Sequence, residues 1–161
     1  GWRMYLRQSG HSGQKLVIVG DGKEEKNIKR LIIDLGMKDS VILAGGLPNK
    51  EVKQLYKNAH ATLVGSISIQ SWQEQQSSVS REAVVQNCPV ISTDSGANPE
   101  IVGSAGIIIP AGNPVEFGRA LLKLDDSVLY QTIKDNGLKE REKFDVDGFR
   151  KKLADIYISL L

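Results

Sequence analysis

Short apolar runs alternate along this chain with longer stretches in which apolar residues recur at helical spacing. The runs are 15–19, 41–44, 60–65, 89–92 and 106–109. The first, β-branched and closed by Gly20, has the character of a strand buried in a parallel sheet, and the others follow suit. Between them, Ile28, Leu31, Ile32 and Leu35 predict a helix over 23–35 that Gly36 ends. A second helix covers 53–57 with Asn49 as its N-cap, and one helical turn is expected at 99–102. Asn113, Pro114 and Glu116 supply an N-cap, a first helical residue and a capping-box partner for a helix over 115–124. Helices over 128–142 and 146–161 complete the chain. At its start, 2–8 reads as the end of an amphipathic helix with Trp2, Tyr5 and Leu6 on one face, and 9–14 as a polar turn. Strands alternate with helices and no hairpin signal occurs. The pattern predicts an α/β, three-layer, Rossmann-like domain around a parallel sheet with right-handed crossovers.

Composition narrows the class further. The chain has 161 residues, enough for one domain with a real core, and its 40% hydrophobic and 25% charged content is that of a globular protein. A net charge of +2 does not argue for nucleic acid, and Lys23, Lys26, Lys29 and Arg30 read as one solvated helix face. Cys88 alone can form no internal disulfide and fits a reducing compartment; next to Pro89 in an apolar context it reads as a buried, inert thiol. No apolar run approaches the length of a membrane span and no signal peptide is visible, so a cytoplasmic location is expected, with any membrane association left to segments outside this chain. Gly1 in place of a methionine reads as a fragment's start.

Candidate chemistry concentrates between Ser66 and Glu82, a polar loop that leads from a strand into a helix beginning near Ser77 or Ser78. Such loops lie at the carboxyl edge of a parallel sheet, where these folds bind ligands. Glu74 and Glu82 bracket the loop-to-helix junction with seven residues between them, so both can face one ligand, while the helix's first N–H groups favour an anion. Carboxylates for sugar hydroxyls beside amides for phosphate make a nucleotide-sugar site. Acids near a helix start also suit its dipole, and spacing alone leaves Glu82 open to that plainer role. Other motifs fall short. Gly20-Asp21-Gly22 lacks a dinucleotide fingerprint's third glycine, replaced by Glu25, and its distal acid, replaced by Ala44 and Gly45. His11 and His60 have no companions at metal spacing, and no serine sits in a nucleophile elbow. Trp72 is either a platform for a sugar or base, or a packing residue.

Four segments, in order, carry a family resemblance. They are Leu16-Val17-Ile18-Val19-Gly20-Asp21-Gly22; residues 41–45 with Leu55-Tyr56 and Ala59; Trp72-Gln73-Glu74-Gln75 through Glu82-Ala83 and Cys88-Pro89-Val90-Ile91; and Asp94-Ser95-Gly96 with Pro99-Glu100-Ile101-Val102 and Gly106. Together they resemble the C-terminal, donor-binding domain of the retaining, GT-B-fold nucleotide-sugar glycosyltransferases of family 4, from about Lys15 onward. The resemblance implies that residues 1–161 are a donor domain without its first strand and without the N-terminal acceptor domain, and inactive alone. It implies that Glu74 holds donor-sugar hydroxyls at the reacting centre and that Glu82 holds the ribose. The loop residues Gln75, Gln76 and Ser77 line the sugar, backbone N–H groups of Ser78 and Val79 face the diphosphate, and main chain at Gly46 and Leu47 faces the base. It implies no metal and no bound cofactor, a saccharide or lipid-linked acceptor, and no nucleic-acid partner. Where the family has Phe-Gly after the first glutamate, this chain has Gln76 and Ser77. That departure keeps a second reading open, a degenerate module that binds a nucleotide sugar without catalysis.

Overall fold

The computed structural model describes residues 1–68 and 75–159, and within them every side chain except that of Lys152. The chain alternates helix and strand: α1 (Trp2–Ser9), β1 (Leu16–Val19), α2 (Glu25–Asp34), β2 (Val41–Gly45), α3 (Asn49–Asn58), β3 (Thr62–Val64), α4 (Ser78–Val85), β4 (Val90–Thr93), α5 (Asn98–Val102), β5 (Gly106–Ile109), α6 (Pro114–Leu124), α7 (Ser127–Glu140), a 3-10 turn (Arg141–Phe144) and α8 (Val146–Ser159). All strand pairings are parallel, as the run-and-helix alternation predicts.

All four residues of β4 are buried, and they divide between two cores. Val90 joins Val64, Tyr56, Ala83, Val84 and Val102, so α3, α4 and α5 cover one face. Ile91 joins Tyr5, Ile109, Ala120, Leu121 and Ile133, so α1, α6 and α7 cover the other. Neighbouring strand residues point to opposite faces, and a strand covered twice must be apolar on both; each such side chain contributes about 1.5–3 kcal/mol by leaving water. The three-layer expectation follows directly. On α1, Trp2, Tyr5 and Leu6 do share the buried face, and the Tyr5 hydroxyl donates to Asp125 Oδ1 at 2.9 Å. Cys88 is buried, and burial pushes its thiol pKa up.

The sheet falls into two pieces. β1 pairs with β2, while β3, β4 and β5 run side by side, so among the described residues β1 and β3 each keep an unpaired edge. Val17, Val19 and Ile42 of the smaller piece are more than a third exposed.

Element boundaries differ from the sequence expectation by a residue or two at several places, β3 among them at Thr62–Val64 instead of 60–65, and three differences have a visible cause. α2 is shorter at its start but ends as expected: Gly36 takes φ +65° and the N–H groups of Gly36 and Met37 return to Ile33 O and Ile32 O. α3 begins at Asn49 rather than beyond it, because the Pro48 carbonyl already accepts from Glu51 and Val52. The helix expected over 128–142 stops at Glu140, whose carboxylate turns back to Ser104. Glu140 Oε1 accepts from the Ser104 hydroxyl at 2.7 Å and its N–H at 3.1 Å, and Oε2 pairs with Lys143. Lys143 first, then Ser104, hold the Glu140 pKa down to about 2. A depressed carboxyl stabilises the fold above its unfolded pKa, near 4.5, and that contribution disappears as pH falls toward 2. Glu140→Gln is therefore expected to lose about 1–3 kcal/mol at pH 7 and to approach wild type near pH 2, measured by urea unfolding at each pH.

Candidate functional site

The 66–82 stretch leaves the carboxyl end of β3 and enters α4 at Ser78, where the sequence placed the helix start. Glu74 and Trp72 lie outside the described residues. Gln75 and Gln76 are exposed. Ser77 is 3% exposed, because its hydroxyl is turned inward as the N-cap: Ser77 Oγ accepts from the Ser80 N–H at 3.2 Å and donates to Ser80 Oγ at 2.9 Å. Its side chain is thus committed to the helix rather than free for a ligand. The N–H groups of Ser78 and Val79 make no hydrogen bond among the described residues, and both residues are exposed. That leaves two open donors at the positive end of a helix dipole.

Glu82, the fifth residue of α4, is exposed and faces α3. The Tyr56 hydroxyl donates to Glu82 Oε2 at 3.5 Å, a contact long enough to orient the carboxylate more than to hold it. Burial first, and the Glu82 carboxylate second, push the Tyr56 pKa up to about 12. Tyr56 therefore stays a hydrogen-bond donor at any working pH. Glu82 also lines a cleft of about 530 Å³ with Lys53, Arg81, Lys143, Phe144 and Phe149. Asp145 lines it too, and Lys143 is already paired with Glu140, so the cleft is mixed in charge, with Lys53 and Arg81 as the cations left to meet a ligand. Sequence reasoning did not single out Lys53, Lys143 or the two phenylalanines. Lys53 and Tyr56 share a face of α3 at a spacing of three, but nothing local ties residues 143–149 to Glu82.

Gly46 and Leu47 follow β2, on the other piece of sheet from α4. Gly46 is exposed, and a Cβ there would come within 3.1 Å of Asp21 Oδ2, so the turns after β1 and β2 are packed together. Among the described residues, no group of three His, Cys, Asp or Glu could hold a metal ion, and no helix is long and apolar enough to cross a membrane.

Over residues 5–140 the chain matches the family model described as glycosyl transferases group 1. The chain belongs to this family. An uncharacterized glycosyltransferase of Methanocaldococcus jannaschii is 27% identical over 147 residues, 89% of this chain and 36% of the relative. The amylovoran biosynthesis glycosyltransferase AmsK of Erwinia amylovora is 28% identical over 122 residues, 74% of this chain and 30% of the relative. The chain thus spans about a third of the length of these curated group 1 relatives. Among solved structures, Anabaena HepE in complex with UDP-glucose superposes with a TM-score of 0.76 at 20% identity, covering 99% of this chain and 45% of HepE. The C-terminal domain of the group 1 glycosyl transferase LpcC from Francisella tularensis gives a TM-score of 0.74 at 21% identity, covering 88% of this chain and 74% of that one. The fold of this group 1 chain is therefore the Rossmann-like half of a GT-B glycosyltransferase.

Proposed function

We propose that the chain is the donor-binding domain of a retaining glycosyltransferase that moves a sugar from a nucleoside diphosphate sugar to a saccharide or lipid-linked acceptor. The observation that carries this is Glu82, exposed one turn inside α4, on the same helix whose first N–H groups, those of Ser78 and Val79, are open. In this reading Glu82 holds the ribose, and the Ser78 and Val79 amides receive the diphosphate. Main chain at Gly46 and Leu47 meets the base, and Glu74, followed by Gln75 and Gln76, takes the sugar at the reacting carbon. The bond from that carbon to the diphosphate oxygen breaks, and fixed donors and cations stabilise the charge left on the leaving group, with no metal and no bound cofactor.

The same reading places a further strand between β1 and β3, whose edges are unpaired, and an acceptor domain outside this chain; this domain alone turns over nothing. Val146, Phe149, Leu153, Ile156 and Tyr157, all more than a third exposed along α8, offer the apolar face such a domain would cover. The enzyme works in the cytoplasm, on polysaccharide or glycolipid.

A screen of nucleoside diphosphates and their sugars against the complete polypeptide tests this by thermal shift. At a hundredfold excess over Kd, a true ligand stabilises by about 2.7 kcal/mol. Binding of none of them overturns the reading. Gln76 and Ser77, where the family carries Phe-Gly, favour the alternative of a binding module without catalysis. Ligand binding without transfer by the complete polypeptide selects it.

A further inference from the structure

The 66–77 stretch is fastened at its start to β4 and the turn behind it, and at its end to the first residue of α5. At the start, the Thr93 hydroxyl donates to Ser66 O at 2.5 Å and Ser95 Oγ meets Ser68 Oγ at 2.7 Å. At the end, a relay runs from the Ser77 hydroxyl to Ser80 Oγ, and from the Ser80 hydroxyl to Asn98 Oδ1 at 3.1 Å. Asn98 is 0% exposed, yet its Nδ2 has no acceptor. Exchanging nitrogen and oxygen of the amide does not help, because Nδ2 would then donate to Ser80 Oγ and leave Oδ1 unpaired. A buried amide with one unpaired end lowers stability; an apolar side chain of similar size would remove that orphan and leave the Ser80 hydroxyl without its acceptor instead. Residues that break a local rule with no packing gain are where function is to be sought.

We propose that Asn98 is a positioning residue. Through Ser80 and Ser77 it sets the orientation of the first turn of α4, and with it the aim of the Ser78 and Val79 N–H groups. The aim matters for catalysis only if that turn receives the diphosphate, so the functional half rests on the reading above while the geometric half does not. Hydrophobic packing of Ala83 and Val84 against Val102 already joins α4 to α5, so the relay is not needed to hold the two helices together.

The test uses Asn98→Leu and Asn98→Asp in the complete polypeptide, with hydrogen exchange and uridine diphosphate binding as readouts. The amides to follow are those of Ser80 and Arg81, which bond to Ser77 Oγ and Ser77 O. In Asn98→Leu they are expected to exchange at least tenfold faster, about what the loss of one net hydrogen bond gives, while β4 amides keep their rates and Tm falls by no more than the few degrees that the unpaired Ser80 hydroxyl costs. Asn98→Asp keeps an acceptor for Ser80 and is expected to restore slow exchange. Uridine diphosphate affinity falls about tenfold in Asn98→Leu. Wild-type exchange at Ser80 and Arg81 in Asn98→Leu overturns the proposal, as does a larger fall in Tm with uniform acceleration across the domain, which marks a merely structural residue. Faster local exchange with undiminished uridine diphosphate binding, or a wild type that binds none, supports the relay and removes the diphosphate reading. If Asn98→Leu does not fold, Ser80→Ala cuts the same relay from the other side. Its Arg81 amide must then speed up, and wild-type exchange there overturns the proposal equally.

Discussion

Alanine at Glu82 in the complete protein is expected to raise the KM for the sugar donor about a hundredfold and to change kcat much less. An ionised carboxylate accepting from two ribose hydroxyls contributes about 3 kcal/mol, and each 1.4 kcal/mol is a factor of ten. In the proposed reading the ribose is remote from the bond that breaks, so a contact to it is equally strong in ground and transition states and its loss appears in KM. Alanine at Glu74, which the same reading puts on the transferred sugar, is expected to lower kcat instead. The fold should barely notice the change at Glu82, because the side chain is exposed and its hydrogen bond is the 3.5 Å contact with Tyr56. Exposed substitutions of this kind stay within about 0.5 kcal/mol, a Tm change of about 2 °C. Steady-state kinetics with varied donor decide the matter, and an unaltered donor KM removes Glu82 from the site.

The largest effect on stability is expected from Gly106→Ala. A Cβ on Gly106 would sit 1.9 Å from Val90 O, 2.8 Å from Val90 C and 2.9 Å from Val102 Cγ1. Two of those atoms are backbone, so no side chain can swing aside. Either β5 shifts along β4 or the two strands part, and both disturb the Val90–Ala105 hydrogen bond and the fully buried Val90 and Val102. Overpacking of this severity costs about 3 kcal/mol or more. For a chain of this size that is a Tm drop of roughly 6–12 °C. Urea unfolding of the isolated domain measures it, and a loss under about 1 kcal/mol would mean that the start of β5 slides without resistance.

Much of this fold was legible because its signals are local. β-branched runs mark strands that are covered on both faces, and Val90 and Ile91 are the clearest case, adjacent in sequence and buried in different cores. Helix ends were legible where one residue decides them: Gly36 with its left-handed backbone, Asn113 accepting from Val115, Ser77 accepting from Ser80. The failures are long-range. Nothing near Glu140 announces Ser104, its hydrogen-bond partner thirty-six residues earlier, so the helix was read past its end. The division of the sheet was invisible in the runs themselves, since pairing depends on which strands lie side by side and not on their composition. At the candidate site, the start of α4 at Ser78 was legible, while the spacing of Glu74 and Glu82 left the role of Glu82 open. Lys53, Lys143 and Phe149 gather around it only through tertiary packing, and Asn98 meets Ser80 only because α4 and α5 cover the same face of β4.

The double tether of residues 66 to 77 has an evolutionary consequence. Its attachment points are hydroxyls and a main-chain carbonyl on either side, so they make no demand on the identity of the residues in the middle. A lineage can rewrite that interior and keep the same anchorage; here, where the family has Phe-Gly, Gln76 and Ser77 stand, and Ser77 supplies the hydroxyl of the second anchor. In the proposed reading, preference for one sugar over another then diverges by point substitution between fixed anchors.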